Sequence, residues 1–191
     1  MVKGLDSRLL YELTNVPTTF SELVKKSIVS FLAGVALLPA AAVIAARLGL
    51  WSPQATSSPP PWERVLAQST LQSSVARRAR GITNPIVGSD ATLLAGMKVY
   101  RVNCAGCHGD FQQPSHWGAT GFYPRVPQFA ETPSHLSPPE MFFVVKHGIR
   151  YTGMGAWDGM LSDDDIWRVV TFLSRLQSLP ERVDAEWKAK P

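Results

Sequence analysis

Residues 96–109 read GMKVYRVNCAGCHG and residues 161–173 read LSDDDIWRVVTFL. In the second stretch Ser162 can cap a helix, and Asp163 to Asp165 place negative charge on its first turn, where the helix dipole favours it. Ile166, Val169, Val170, Leu173 and Leu176 then recur at helical spacing as one apolar stripe, which Pro180 ends. The first stretch belongs to a helix that starts after Ser89 or Asp90, carries Leu93, Leu94, Met97 and Val102, and runs into a pair of cysteines. Between the two lies another helix, with Ser137 as N-cap, Pro138 at the first helical position and Glu140 three residues after the cap; it stops at Gly148. From Ile82 onward no alternation is long enough to build a sheet. The expectation is an all-α head over residues 82–180 and a C-terminal tail over 181–191.

Upstream of the head the chain changes character. Ser27 to Ala46, SIVSFLAGVALLPAAAVIAA, is twenty residues without a charge; as a helix it would span roughly 30 Å, the thickness of a bilayer core. Pro39 lies in its middle, a position that membrane helices tolerate. The rival reading is a cleaved signal peptide with a small-residue site at Ala40 to Ala42. Against it stand the 26 preceding residues, which include Asp6, Glu12 and Glu22, and an apolar run longer than signal peptides use. An uncleaved anchor over 27–50 is expected, behind a cytoplasmic tail over 1–26. Lys3, Arg8, Lys25 and Lys26 precede the run and Arg47 and Arg64 follow it, which puts the N-terminus inside and the head outside. Leu9 to Leu23 reads as a short solvated or interfacial tail.

Residues 51–81 form the connection. WSPQATSSPPP at 51–61 is too rich in Pro and Ser to pack and reads as a stiff tether. Residues 62–80 can be helical, with Arg77, Arg78 and Arg80 at the end that suits cations. Those arginines read as solvated surface, with contact to anionic lipid as the alternative.

The formal net charge is +4, but from Gly81 onward there are 10 Lys and Arg against 11 Asp and Glu, so the head is close to neutral. The basic residues are scattered except for Arg77, Arg78 and Arg80 and lack an aromatic platform, which argues against nucleic acid as a partner. The chain has only two cysteines, three positions apart, so no disulfide framework holds it together.

Those cysteines belong to Cys104-Ala-Gly-Cys107-His108, the attachment pattern for c-type haem. Two thiols at this spacing can bond both vinyl groups of one porphyrin edge, and the adjacent imidazole then lies over the iron. A structural zinc site would need another ligand, and there is neither a second Cys pair nor a spaced His pair. A redox dithiol would need a βαβ context, and buried inert cysteines are the remaining alternative. For the second axial position the candidate is Met154, 46 residues beyond His108 in YTGMGAW, where Gly153 and Gly155 allow close approach to a porphyrin. Met160 adjoins the last helix and reads as packing. His147, His116 and His135 are rival ligands, and Met97 and Met141 read as core.

Taken together, NPI at 84–86, GMKVYRVNCAGCHG at 96–109, KHGIRYTGMGAW at 146–157 and LSDDDIWRVVTFL at 161–173 make the head resemble a small monohaem class I cytochrome c over about 82–178. The resemblance implies one covalent haem c with its iron, a close crossing of the first and last head helices at Gly96 and Tyr100 against Trp167 to Leu173, and a Pro carbonyl that orients the axial imidazole. Pro124 or Pro127 in FYPRVPQF could supply it, and Arg125 could neutralise a haem propionate. Relatives commonly have Pro after the ligand Met, where this chain has Gly155.

The expected function is single-electron transfer by a haem domain on the periplasmic side of the inner membrane. Its expected partners are the lipid bilayer and redox proteins in or at the membrane, within or beside a respiratory complex and without a small-molecule substrate. The alternative is a haem enzyme or gas-binding sensor with an open sixth iron position.

Overall fold

The computed structural model describes residues 7–189. Lys3 and Asp6 of the expected tail, and the last two residues of the chain, lie outside the described residues. The chain divides after Pro53 into two compact units.

The N-terminal unit is one helix, α1 (Ser7–Arg47), of 41 residues. It does not pause at residue 26, where the sequence suggested a boundary between tail and anchor, and Pro17 and Pro39 both lie within it. The part from Phe20 to Arg47 is long and apolar enough to cross a membrane, and none of its most apolar stretch is buried among the described residues. Phe31, Leu37 and Leu38 are each 70% exposed or more. Such an all-round apolar surface is what lipid, not water, would solvate.

The second unit is helical, with no strand among the described residues. It comprises α2 (Pro61–Arg78), α3 (Asp90–Asn103), the short α4 (Ala105–His108) and α5 (His116–Thr120), α6 (Pro138–His147), α7 (Asp163–Arg175) and α8 (Glu181–Lys188). The expected caps are present. Ser89 Oγ accepts from Thr92 N, Ser162 Oγ accepts from Asp165 N, and Ser137 N and Oγ both donate to the Glu140 carboxylate. Each such cap contributes about 1 kcal/mol.

Helix α7 is the centre of the head because it packs against α3 on one side and α6 on the other. Two-sided packing explains why its buried surface is wider than the stripe read from sequence: Trp167, Thr171 and Phe172 are buried along with Ile166, Val169 and Val170, while Leu173 and Leu176 stay half-buried. At the α3 crossing a Cβ on Gly96 would collide with the Arg168 carbonyl group and come within 2.9 Å of Phe172 Cβ, so only glycine lets the backbones approach this closely. Tyr100, one turn on, is fully buried against Phe172, with ring centroids 5.8 Å apart. The NPI segment is tied to the same helix: Asn84 Nδ2 donates to Thr171 Oγ1 at 2.9 Å, and Asn84 Oδ1 accepts from Ile86 N.

The segment after Pro180 is not a tail. Glu181–Lys188 forms α8, whose Val183 and Trp187 are buried against Tyr100 and Phe172. Arg101 fastens it by donating to the Glu186, Trp187 and Ala189 carbonyls, stacking over the Trp187 ring and pairing with Asp110 at 3.0 Å.

Candidate functional site

Helix α3 ends at Asn103, where Cys104 N closes it by donating to the Tyr100 carbonyl at 2.7 Å, and the chain re-enters a single helical turn, α4, that carries Cys107 and His108. Cys104, Cys107 and His108 are thus presented from one turn at the end of a helix locked into the core. No disulfide joins the two sulfurs. Burial, and to a lesser extent the neighbouring Cys107, pushes the Cys104 thiol up to about 12. At neutral pH it is therefore a neutral thiol, poorly suited to thiolate exchange. Among the described residues no three His, Cys, Asp or Glu side chains gather into a metal-holding group, so the motif does not converge on one ion as tetrahedral zinc requires.

His108 Nδ1 lies 2.9 Å from the Pro127 carbonyl oxygen. A carbonyl can only accept, so Nδ1 carries the proton and Nε2 keeps its lone pair for a metal. Of the two prolines suggested by sequence, Pro127 is the one in place. Burial lowers the His108 pKa, and the Pro127 bond opposes that shift; the net direction favours the neutral ring that a ligand needs. Phe129 stacks on the imidazole with centroids 4.6 Å apart and planes 8° apart.

The loop from Gly109 to Phe129 wraps the motif. Tyr100 donates its hydroxyl to the Gly109 carbonyl at 2.7 Å, and Phe129 N donates to the His108 carbonyl at 3.3 Å. Gln128 is the central tie: its Nε2 donates to the Cys107 and Val126 carbonyls, both at 3.0 Å, and its Oε1 accepts from Ser115 N at 2.7 Å. Ser115 in turn donates to the Gly106 carbonyl and caps α5. Gln128 and Phe129 were not singled out in the sequence, because a glutamine and a phenylalanine in an irregular stretch carry no periodic signal. Arg125 has the carbonyls of Thr120 and Phe122 as partners, which holds its guanidinium within the loop.

Met154 sits in a second loop, entered from α6 through Gly148. Gly148 has φ +67°, and a Cβ there would lie 2.8 Å from the Met154 carbonyl oxygen, so the turn requires glycine. The loop is closed at its base by Trp157 N to the Val145 carbonyl and Asp158 N to the Lys146 carbonyl. Inside it, Ile149 N donates to the Met154 carbonyl and Met154 N donates to Thr152 Oγ1. A Cβ on Gly153 would come within 2.5 Å of the Phe122 ring, so the Met154 loop rests on the same segment that holds His108. That contact brings the two candidate ligand loops into one neighbourhood.

The rival ligands are placed differently. Met160 is 70% exposed and packs against no core. His116 opens α5, His135 lies in the loop before α6 and His147 is the last residue of α6, all three on the surface. Met97 and Met141 are core, as expected. Two surface clefts of about 390 and 420 Å³ adjoin α3 and α8 and include neither the motif nor the Met154 loop.

Residues 91–173 match the family model described as cytochrome c oxidase, cbb3-type, subunit III. No curated protein matches the chain. Among solved structures, a chain of the reducing HAO-like protein complex of Kuenenia stuttgartiensis is similar at 22% identity and a TM-score of 0.33, over 50% of this chain and 47% of that one. The match therefore spans about half the length of that solved chain. A thiol pair and a tautomer-fixed imidazole on one turn suit a covalently attached, iron-bearing porphyrin, and the family match covers that turn: the head of this chain is a monohaem c-type cytochrome domain, and its cofactor is haem c.

Proposed function

We propose that the protein is a membrane-anchored cytochrome that carries single electrons as a subunit or close associate of a membrane respiratory complex, between a donor and an oxidase or soluble cytochrome. Cys104 and Cys107 would attach the haem, and His108 and Met154 would hold its iron. The observation that carries the reading is the bond from His108 Nδ1 to Pro127, which leaves Nε2 free on the same turn as the two thiols. When bound, haem c supplies an iron that changes oxidation state by one electron. The chain's own contribution is to hold that iron's surroundings constant. Pro127 keeps the imidazole in one tautomer, Phe129 blocks its rotation, and Gln128 fixes the turn that bears both. A thioether supplied by Met154 would favour a raised potential and would keep small ligands from the iron.

Helix α1 serves as the anchor, with the basic residues before the apolar run keeping its N-terminus in the cytoplasm and the head in the periplasm. The family description, which names an oxidase subunit, supports a place beside a respiratory complex.

A redox titration with a carbon monoxide test checks the assignment. The wild-type protein should give one one-electron wave and no spectral change with carbon monoxide. Met154→Ala should lower the potential and make the reduced iron bind carbon monoxide. Unchanged behaviour in the variant would remove Met154 as ligand, and ready binding by the wild type would favour a gas-binding or enzymatic role. Purification in mild detergent tests the complex: a chain that always travels alone is no stoichiometric subunit.

A further inference from the structure

Helix α8 lies beyond the matched family segment, which ends at residue 173. Its packing leads back to His108 by two routes. The first runs through Tyr100, which is fully buried. The Trp187 ring meets the Tyr100 ring edge-on, with centroids 5.9 Å apart and planes at 68°. Tyr100 in turn bears on the ligand turn twice. Its hydroxyl donates to the Gly109 carbonyl at 2.7 Å, with the His108 carbonyl oxygen 3.3 Å away. Its ring lies 6.5 Å, centroid to centroid, from Phe129, the ring stacked on the imidazole.

The second route runs through Arg101. Its Nη2 donates to the Trp187 carbonyl at 2.7 Å, its guanidinium covers the Trp187 ring at 5.1 Å, and its Nε pairs with Asp110 at 3.0 Å. Asp110 follows Gly109 directly, and Phe111, the next residue, meets the Trp187 ring at 6.4 Å. One indole thus bears on the residue that holds the His108–Gly109 backbone and on the residues that continue from it. Tilted ring pairs at these separations fix each other in angle as well as in place. An interior packed at crystal density passes a displacement on and does not absorb it. The seat of Trp187 therefore limits how far Tyr100 and Phe129 can draw back from the imidazole.

We propose that Trp187 is a positioning residue for His108: through Tyr100 and Phe129 it keeps the imidazole seated on the Pro127 carbonyl. The inference rests on His108 being the axial ligand. It gives α8 a part in holding the iron's surroundings constant, beyond the apolar area that Val183 and Trp187 bury.

Hydrogen exchange at His108 Nδ1 tests this, because that proton leaves only when its bond to Pro127 opens. The haem-loaded full chain is reduced, held in detergent micelles and followed by proton NMR in heavy water. The slowest-exchanging backbone amides serve as the internal reference for global unfolding. In the wild type the carbon-bound protons of the His108 ring should be moved far upfield by the porphyrin ring current. Without that shift His108 is not the ligand, and this inference falls with the ligand reading. Given the shift, Trp187→Leu should speed Nδ1 exchange about tenfold relative to the reference amides. Val170→Ala is the control, because Val170 belongs to the cluster of Met141, Phe142, Ile166 and Trp167, which includes neither Tyr100 nor Trp187; there the ratio should keep its wild-type value. An unchanged ratio in Trp187→Leu, or an equal rise in Val170→Ala, reduces Trp187 to core filling and overturns the proposal while leaving His108 as ligand. If Trp187→Leu does not mature, Tyr100→Phe, which loses only the hydroxyl, is measured in the same way. A severalfold selective rise supports the route through Tyr100, and no rise overturns it.

Discussion

Around His108 the Pro127 carbonyl fixes the proton, the Phe129 ring fixes the plane, and Gln128 ties the turn to a segment 21 residues away. Around Met154 the bonds are short-range: Thr152 Oγ1 and Ile149 N act within the same loop, and the anchoring contacts lie at its base or at the Phe122 ring. One half of the site is thus fastened to the core through contacts distant in sequence, and the other is carried by a glycine-flanked loop. The lesson is that the two proposed ligand side chains are held with different stiffness. The attachment side should survive perturbations that release the methionine side, so the Met154 loop is where the proposed site would open first.

The largest effect expected from this contrast is on attachment itself. Cys107→Ala should abolish normal two-point attachment and leave little haem on the chain after denaturing electrophoresis, whereas Met154→Ala should retain it fully. Equal haem loss in the two would erase the distinction. Next comes Gln128→Leu, which keeps the volume but strips the partners from the Cys107 carbonyl and Ser115 N. It should cost about 2 kcal/mol in denaturant unfolding, and it should disturb the His108 side without opening the iron to carbon monoxide.

Ser137→Ala should cost about 1 kcal/mol by removing the cap of α6, the helix that feeds the Met154 loop. Its pH dependence has a defined sign. Bonds from the Ser137 hydroxyl and backbone hold the Glu140 carboxyl below its usual 4.5, so the carboxylate stabilises the folded state above that value and the contribution is lost as pH falls through the lowered one. Because Glu140 is solvent-accessible the effect is small, under about 1 kcal/mol. The gap between wild type and variant should narrow in acid unfolding below pH ~4.5. The smallest effect expected is from Gly155→Ala. A Cβ there meets nothing within 4 Å, so the change should stiffen the loop and add about 0.5 kcal/mol, read as slower capture of added imidazole by the oxidised protein.

The same contrast governs what could be read from the residues. The helices around the site were legible because each carries a local signature: the caps at Ser89, Ser137 and Ser162 and the stripe on α7; the close crossing at Gly96 came only from the family resemblance. The haem motif is contiguous and could not be missed. Gln128 and Phe129 act through contacts that only the folded chain creates, and nothing in FYPRVPQF chooses Pro127 over Pro124. Helix α8 was passed over because Pro180 looks like an end. The i, i+4 pair Val183 and Trp187 was the signal that it opens a new helix. At the N-terminus, the charges and Pro17 suggested a separate tail, yet the backbone continues as helix from Ser7.

The near-infrared spectrum of the oxidised, purified protein tests the central claim most directly, because sulfur-ligated ferric haem has a weak charge-transfer band there that bis-histidine and water-ligated haem lack. A haem held by His108 and Met154 should show that band in the wild type and lose it in Met154→Ala. A wild type without the band, or a variant that keeps it, would contradict the account.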